Sequence, residues 1–206
     1  SSDLDGDGDM DVLSTSFPDK IAWYENTDGQ GTFKDQKIIS NGDGGGSIHA
    51  ADLDGDGDKD VLSASSGVNK IIWYENTDGQ GTFADDQVVS TLEISPNYVH
   101  ATDLDGDGWD DNNGTTDPID SDGDGIPDLM TGANQQNEGW GYILFLNADK
   151  TVKTYTRINN MEGGFGFTLT AEDRFSRSIS FLGDLRGDGT IAVNYGAGAG
   201  AGSAGA

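Results

Sequence analysis

Residues 3–16 read DLDGDGDMDVLSTS and residues 52–65 read DLDGDGDKDVLSAS, identical at twelve of fourteen positions. Downstream of each, IAWYENTDGQGTF at 21–33 is matched by IIWYENTDGQGTF at 71–83, at twelve of thirteen positions. The offset is 49 residues for the first pair and 50 for the second, so the connection differs by one residue. A period of this size marks a repeat architecture, in which no unit buries its apolar face alone. A third copy opens with DLDGDGWDD at Asp103, is interrupted by about fifteen residues and resumes at Asp128 as DLMTGA, followed by GYILFLNADKTV. A fourth, decayed copy, GDLRGDGTIAVNYG, runs from Gly183 to Gly196.

Within a copy the pattern is that of strands. Val12–Ser16, Lys20–Asn26, Gln36–Ser40 and Ser47–Ala51 are short runs bounded by Gly, Asp and Asn, and such runs read as strands. No window sustains a helical period. Four short strands in each repeat of about fifty residues predict a propeller blade. The expected fold class is therefore all-β, a β-propeller segment of about three and a half four-stranded blades. The expected division is 1–46 (blade 1, without its first strand), 47–95, 96–160 with an insert near 110–127, a partial blade at 161–196 and a tail at 197–206.

Those residues carry a family resemblance. The DLDGDGD-x-DVLS loops, the WYEN strand and Phe165-Gly166 upstream of the fourth loop resemble the FG-GAP/VCBS repeat family, the calcium-loop blades also found in the integrin alpha-chain head. The likeness covers roughly residues 1–196. It implies a ring of about seven blades, so the chain is expected to be a fragment or to complete its ring through another copy. It also implies an extracellular or cell-surface location and a structural or adhesive role. The stretch 103–128 resembles thrombospondin type 3 calcium repeats, without the Cys those often carry.

Composition agrees with ion-binding loops. Of 206 residues, 37 are acidic and 11 basic, a formal charge of −26, and 31 of the acids are Asp. An acidic helix would be rich in Glu, the better helix former. Asp clustered with Gly means turns and oxygen ligands for a hard cation. The charge argues against nucleic acid and against anionic membrane surfaces as partners. No stretch is apolar enough for a membrane span, so no membrane insertion is expected. With no Cys there is neither a disulfide framework nor a thiolate metal site.

In the first loop, Asp3, Asp5, Asp7 and Asp11 stand at positions 1, 3, 5 and 9 and can converge on one ion, with Asp9 offering its backbone carbonyl. Gly at position 6 permits the sharp turn, as in the opening half of an EF-hand. The second loop supplies Asp52, Asp54, Asp56 and Asp60, with Asp58 at the carbonyl position. The third supplies Asp103, Asp105, Asp107 and Asp111 with Trp109 at the carbonyl position. The insert supplies Asp120, Asp122, Asp124 and Asp128 with Ile126 at the carbonyl position, and Asp110 and Asp117 stand between the two. Carboxylates about 4 Å apart repel by roughly 4 kcal/mol per pair at an effective dielectric of 20. All-oxygen, crowded ligands favour Ca2+ over Mg2+, and about four calcium sites are expected. The last loop has Arg186 at position 3 and Ala192 at position 9, so no ion is expected there; the guanidinium can pair with Asp184 and Asp188. Its Arg186-Gly187-Asp188 tripeptide reads as a decayed repeat loop.

The remaining features read as structural. Trp23-Tyr24 and Trp73-Tyr74 are expected to place one ring between blades and its neighbour outward, and a sugar-stacking platform is the alternative. Trp109 and Trp140, outside the repeat positions, are the more plausible exposed aromatics. His49 and His100 each lie three residues before a loop's first Asp, where the fourth copy has Phe181, which points to packing. Asn113-Gly114-Thr115 is an N-glycosylation sequon. The tail GAGAGAGSAGA at 196–206 is low in complexity and unlike a blade strand. No nucleophile–base set is visible, so no enzyme is expected. Calcium is the expected cofactor; other copies of the chain, surface proteins or glycans are the candidate partners. A carbohydrate-binding propeller and an accessory domain of a secreted polysaccharide-active enzyme are the alternative functions.

Overall fold

The computed structural model describes residues 1–16, 20–42, 46–91, 95–101, 126–133, 140–158, 178–183 and 192–196. The described residues are all-β, with every strand pairing antiparallel and no helix. The first sheet is β1 (Val12–Ser16), β2 (Lys20–Tyr24) and β3 (Lys37–Ser40). The second is β4 (Ile48–Ala51), β5 (Asp60–Ser65), β6 (Lys70–Tyr74) and β7 (Gln87–Ser90). The third is β8 (Pro96–Ala101), β9 (Leu129–Ala133), β10 (Trp140–Leu146) and β11 (Val152–Ile158). The fourth pairs β12 (Ser178–Gly183) with β13 (Ala192–Gly196). The first three are meanders in chain order, the form a propeller blade takes, and among the described residues no sheet closes into a barrel.

Alternation along the strands builds the core. Side chains of a strand point to opposite faces in turn, and β6 shows both faces in use. Ile71 and Trp73 join Leu53, Leu62 and Ala64 of the second sheet to Val99, Leu129 and Leu144 of the third. Ile72 and Tyr74 point the other way, into a cluster with Val61 and with Leu4, Ile21 and Trp23 of the first sheet. A buried aromatic removes roughly 150–250 Å² from water, on the order of 4–6 kcal/mol at about 25 cal/mol/Å² before ordering costs. The core is thus held between sheets, as a repeat array requires.

This corrects the expected division of the aromatic pairs. In the first copy Trp23 is buried and Tyr24 is half-buried. In the second copy both Trp73 and Tyr74 are buried, because their strand is covered on both faces. Trp140 is not a free aromatic face either. It is partly buried against the core between the second and third sheets, with the Arg157 guanidinium 4.5 Å above its ring.

Candidate functional site

Each Asp loop runs directly into a strand, β1 for loop one and β5 for loop two. Loop two, residues 52–59, joins β4 to β5, and loop one leads into β1. Position 2 of each loop is Leu4 or Leu53, buried to 1% and 0% exposure. Each leucine plugs its loop into an inter-sheet cluster, Leu4 between sheets one and two and Leu53 between two and three.

Hydrogen bonds fix the loop backbone. Asp3 Oδ1 accepts from the Gly6 amide at 2.8 Å and Oδ2 from the Gly8 amide at 3.0 Å. Asp52 does the same for Gly55 and Gly57, at 2.7 and 2.8 Å. Gly8 and Gly57 have φ of 93° and 97°, a region other residues seldom adopt. Asp11 accepts from the Leu4 and Asn26 amides, both at 2.9 Å. Asp60 accepts from Leu53 at 3.0 Å and Asn76 at 2.8 Å. Asp11 and Asp60 therefore tie each loop to the segment just beyond β2 or β6, the strand that pairs with the one the loop leads into.

The carboxylates gather as sets of three. Oxygens of Asp3, Asp5 and Asp11 lie within 4.8 Å of one another, and so do those of Asp52, Asp54 and Asp60. Positions 1, 3 and 9 thus converge. Position 5 does not join them: Asp7 groups with Asp5 and Glu25, while Asp56 Oδ1 accepts from the Asp58 amide at 2.9 Å. The side chain of Asp9 lies against the Gly29 backbone and that of Asp58 against Gly79. Each Asp loop is therefore braced by the Asn-Thr-Asp-Gly-Gln-Gly turn of its own sheet.

The charges are poorly compensated. Burial and the carboxylates of Asp11 and Asp7 push Asp5 up from its ordinary pKa. Burial and Asp56 push Asp54 up. Burial pushes Asp60 up to about 7, against the pull of its two amide bonds. Asp5 Oδ1 is buried and accepts no hydrogen bond. An orphaned oxygen among mutually repelling carboxylates fits a cation with oxygen ligands, and Asp3, Asp5 and Asp11 would hold it.

The repeat geometry agrees with comparison to known sequences. A family model described as FG-GAP-like repeat matches residues 3–63 and again 52–111, together more than half of the chain. The chain belongs to the FG-GAP-like repeat family. No curated protein matches it significantly. Among solved structures, the V. cholerae biofilm matrix protein Bap1 is similar over 79% of this chain and 28% of its own, at 25% identity and a TM-score of 0.36. The FG-GAP-like chain thus spans less than a third of that protein's length.

The second family match ends at Asp111, where the third Asp loop lies. Asp103, Asp105, Asp107, Trp109, Asp111, Asp120, Asp122 and Asp124 fall outside the described residues, as do Asn113, Phe165-Gly166, the Arg186-Gly187-Asp188 loop and the tail. Asp128 is described. It is buried, and its Oδ1 accepts from the Leu146 amide at 3.0 Å. That is the bond Asp11 and Asp60 make in the first two sheets.

Two participants were not foreseen. Glu25 reaches the Asp5–Asp7 side of loop one, where Lys34 and Lys37 bond to it and hold its carboxyl below the usual range. Asn76 donates from Nδ2 to Leu4 O at 3.0 Å, linking loop one to the second sheet. Both belong to the repeated WYEN segment, whose last two residues carry the signal.

Proposed function

We propose that this FG-GAP-like chain is a calcium-binding repeat module with a structural or adhesive role in an extracellular or surface assembly. The observation that carries the reading is the convergence of Asp3, Asp5 and Asp11 around an unpartnered, buried Asp5 Oδ1. The equivalent trio in loop two supports it. Calcium supplies the positive charge that the cluster lacks and locks the turn before the second strand. Modules of this kind bind at around 10⁻⁴–10⁻³ M, suited to extracellular calcium. A pair of nearly identical repeats is what a spacer or scaffold needs. Trp23 and Trp73 lie in the core, which favours this role over a sugar-stacking platform. The carboxylate sets recur at equivalent places, whereas a catalytic site is built once, so the reading is of a binding module and not of an enzyme.

Titration calorimetry tests it. Calcium at millimolar concentration is expected to bind and to raise the melting temperature, because a ligand of the folded state alone stabilises it. Equal melting curves in calcium and in EDTA, with no heat of binding, would sink the proposal.

A further inference from the structure

The two histidines share no role with the carboxylate loops, yet the fold brings them together. His49 on β4 and His100 on β8 occupy the same place in successive repeats. Their Nδ1 atoms are 3.2 Å apart and their ring centroids 4.1 Å apart, at an interplanar angle of 59°. Strands β4 and β8 are the first strands of neighbouring sheets and lie against one another. Between imidazoles at this separation there is no space for water or a counter-ion.

We propose that the His49–His100 pair is an acid-sensitive joint between the second and third sheets, closed while the pair is neutral and loosened when it is protonated. A neutral pair can share one Nδ1 proton between donor and acceptor. One added proton makes a single imidazolium that can keep this bond, and a second added proton sets two like charges against each other, with the Nδ1 atoms 3.2 Å apart. The surroundings offer little to stabilise such charge. On β8 the remaining titratable group is Tyr98, its ring 6.3 Å from His100. The sequences of β1, β9 and β12 contain no titratable residue. On β5, Asp60 is bonded to the Leu53 and Asn76 amides. On β6 the ionisable residues are Lys70 and Tyr74, at its two ends. Lys59 adds positive charge near His49. Burial, then His100, push His49 down to about 4, with a bond to the Ala101 backbone opposing the shift. Burial also pushes His100 down.

The sign follows. A histidine with a depressed folded-state pKa binds fewer protons folded than unfolded. Its contribution is present above the unfolded value of about 6.5 and is lost as pH falls towards about 4. Over that window each such imidazole lowers the folding constant by up to about tenfold per pH unit.

The test compares the full chain with the double variant His49→Phe/His100→Phe, since Phe181 holds the same position in the fourth copy. Denaturant unfolding is followed from neutral pH to about pH 4, in saturating calcium and in EDTA. The wild type is expected to lose stability more steeply than the variant in both media. A proton-NMR titration of the wild-type imidazoles guards against a variant that fails to fold, and both rings are expected to titrate below their ordinary value. Parallel pH profiles for wild type and variant would overturn the proposal. So would imidazoles titrating near their ordinary value, or a zinc-induced rise in wild-type melting temperature that the variant lacks, which would assign the pair to a metal.

Discussion

Asp5 and Asp11 share one loop but meet different needs. Asp11 is fully buried, and each of its oxygens accepts a backbone amide. Replacing it with alanine leaves two buried N–H groups unpaired, at about 1–3 kcal/mol each. Asp11→Ala is therefore expected to lose about 2–6 kcal/mol of stability even in EDTA, read by denaturant unfolding. Asp5 has an oxygen with no partner and carboxylates on two sides. Asp5→Asn removes repulsion, so stability in EDTA is expected to hold or rise. Calcium affinity at loop one is expected to fall by about tenfold or more, because ligand charge sets it. A variant that loses stability in EDTA and keeps its calcium affinity would contradict this assignment. In loop two, burial pushes Asp60 up to about 7. In the metal-free protein this group binds its proton more tightly folded than unfolded, so its contribution weakens as pH rises towards 7. Calcium must expel that proton. Affinity at loop two is accordingly expected to rise with pH across neutrality, measured by calorimetry in buffers of different ionisation heat.

At the scale of elements, two equivalent glycines separate local strain from packing between sheets. Gly31 and Gly81 hold the same place in the turns that follow β2 and β6, with φ of 95° and 77°. A Cβ on Gly31 would meet nothing nearer than Phe33 at 4.0 Å. A Cβ on Gly81 would stand 2.2 Å from the Trp23 ring of the neighbouring sheet. Gly31→Ala is expected to cost about 1 kcal/mol, the strain of a left-handed alanine. Gly81→Ala is expected to cost about 1–3 kcal/mol more, the usual penalty for overpacking. Equal losses would show that the contact between sheets gives way freely. The turn itself was legible in DGQG, and so were the strands, because their runs alternate and end at Gly and Asp. The convergence of positions 1, 3 and 9 was legible for the same reason: a short loop fixes its own geometry. Glu25 was not legible as a neighbour of Asp5. It arrives from the far end of a strand, and only the pairing of β1 with β2 carries it there.

At the scale of the molecule, place in the array decides what repetition alone cannot. Tyr24 and Tyr74 are equivalent in sequence, yet Tyr74 is covered because sheets stand on both sides of β6. Likewise the insert separates Asp128 from the third loop in sequence, while pairing with β10 returns it to the position held by Asp11 and Asp60. The net charge is also a property of the whole. Of the 31 Asp, ten lie in the first two Asp loops alone, five in 3–11 and five in 52–60. One calcium in each loop would change −26 to −22, since two divalent ions add four charges. Self-repulsion of that kind destabilises a compact state, and salt screens it. Raising ionic strength from about 0.01 M to 0.15 M shortens the screening length from about 30 Å to 8 Å. In EDTA the melting temperature is therefore expected to climb with sodium chloride. In saturating calcium the climb should be smaller, because the closest carboxylates are already neutralised at contact range, where added salt screens least. The comparison needs only melting curves at two salt concentrations in each medium. An equal salt response in both would mean that the acidity is spread over the surface and not concentrated in ion cages.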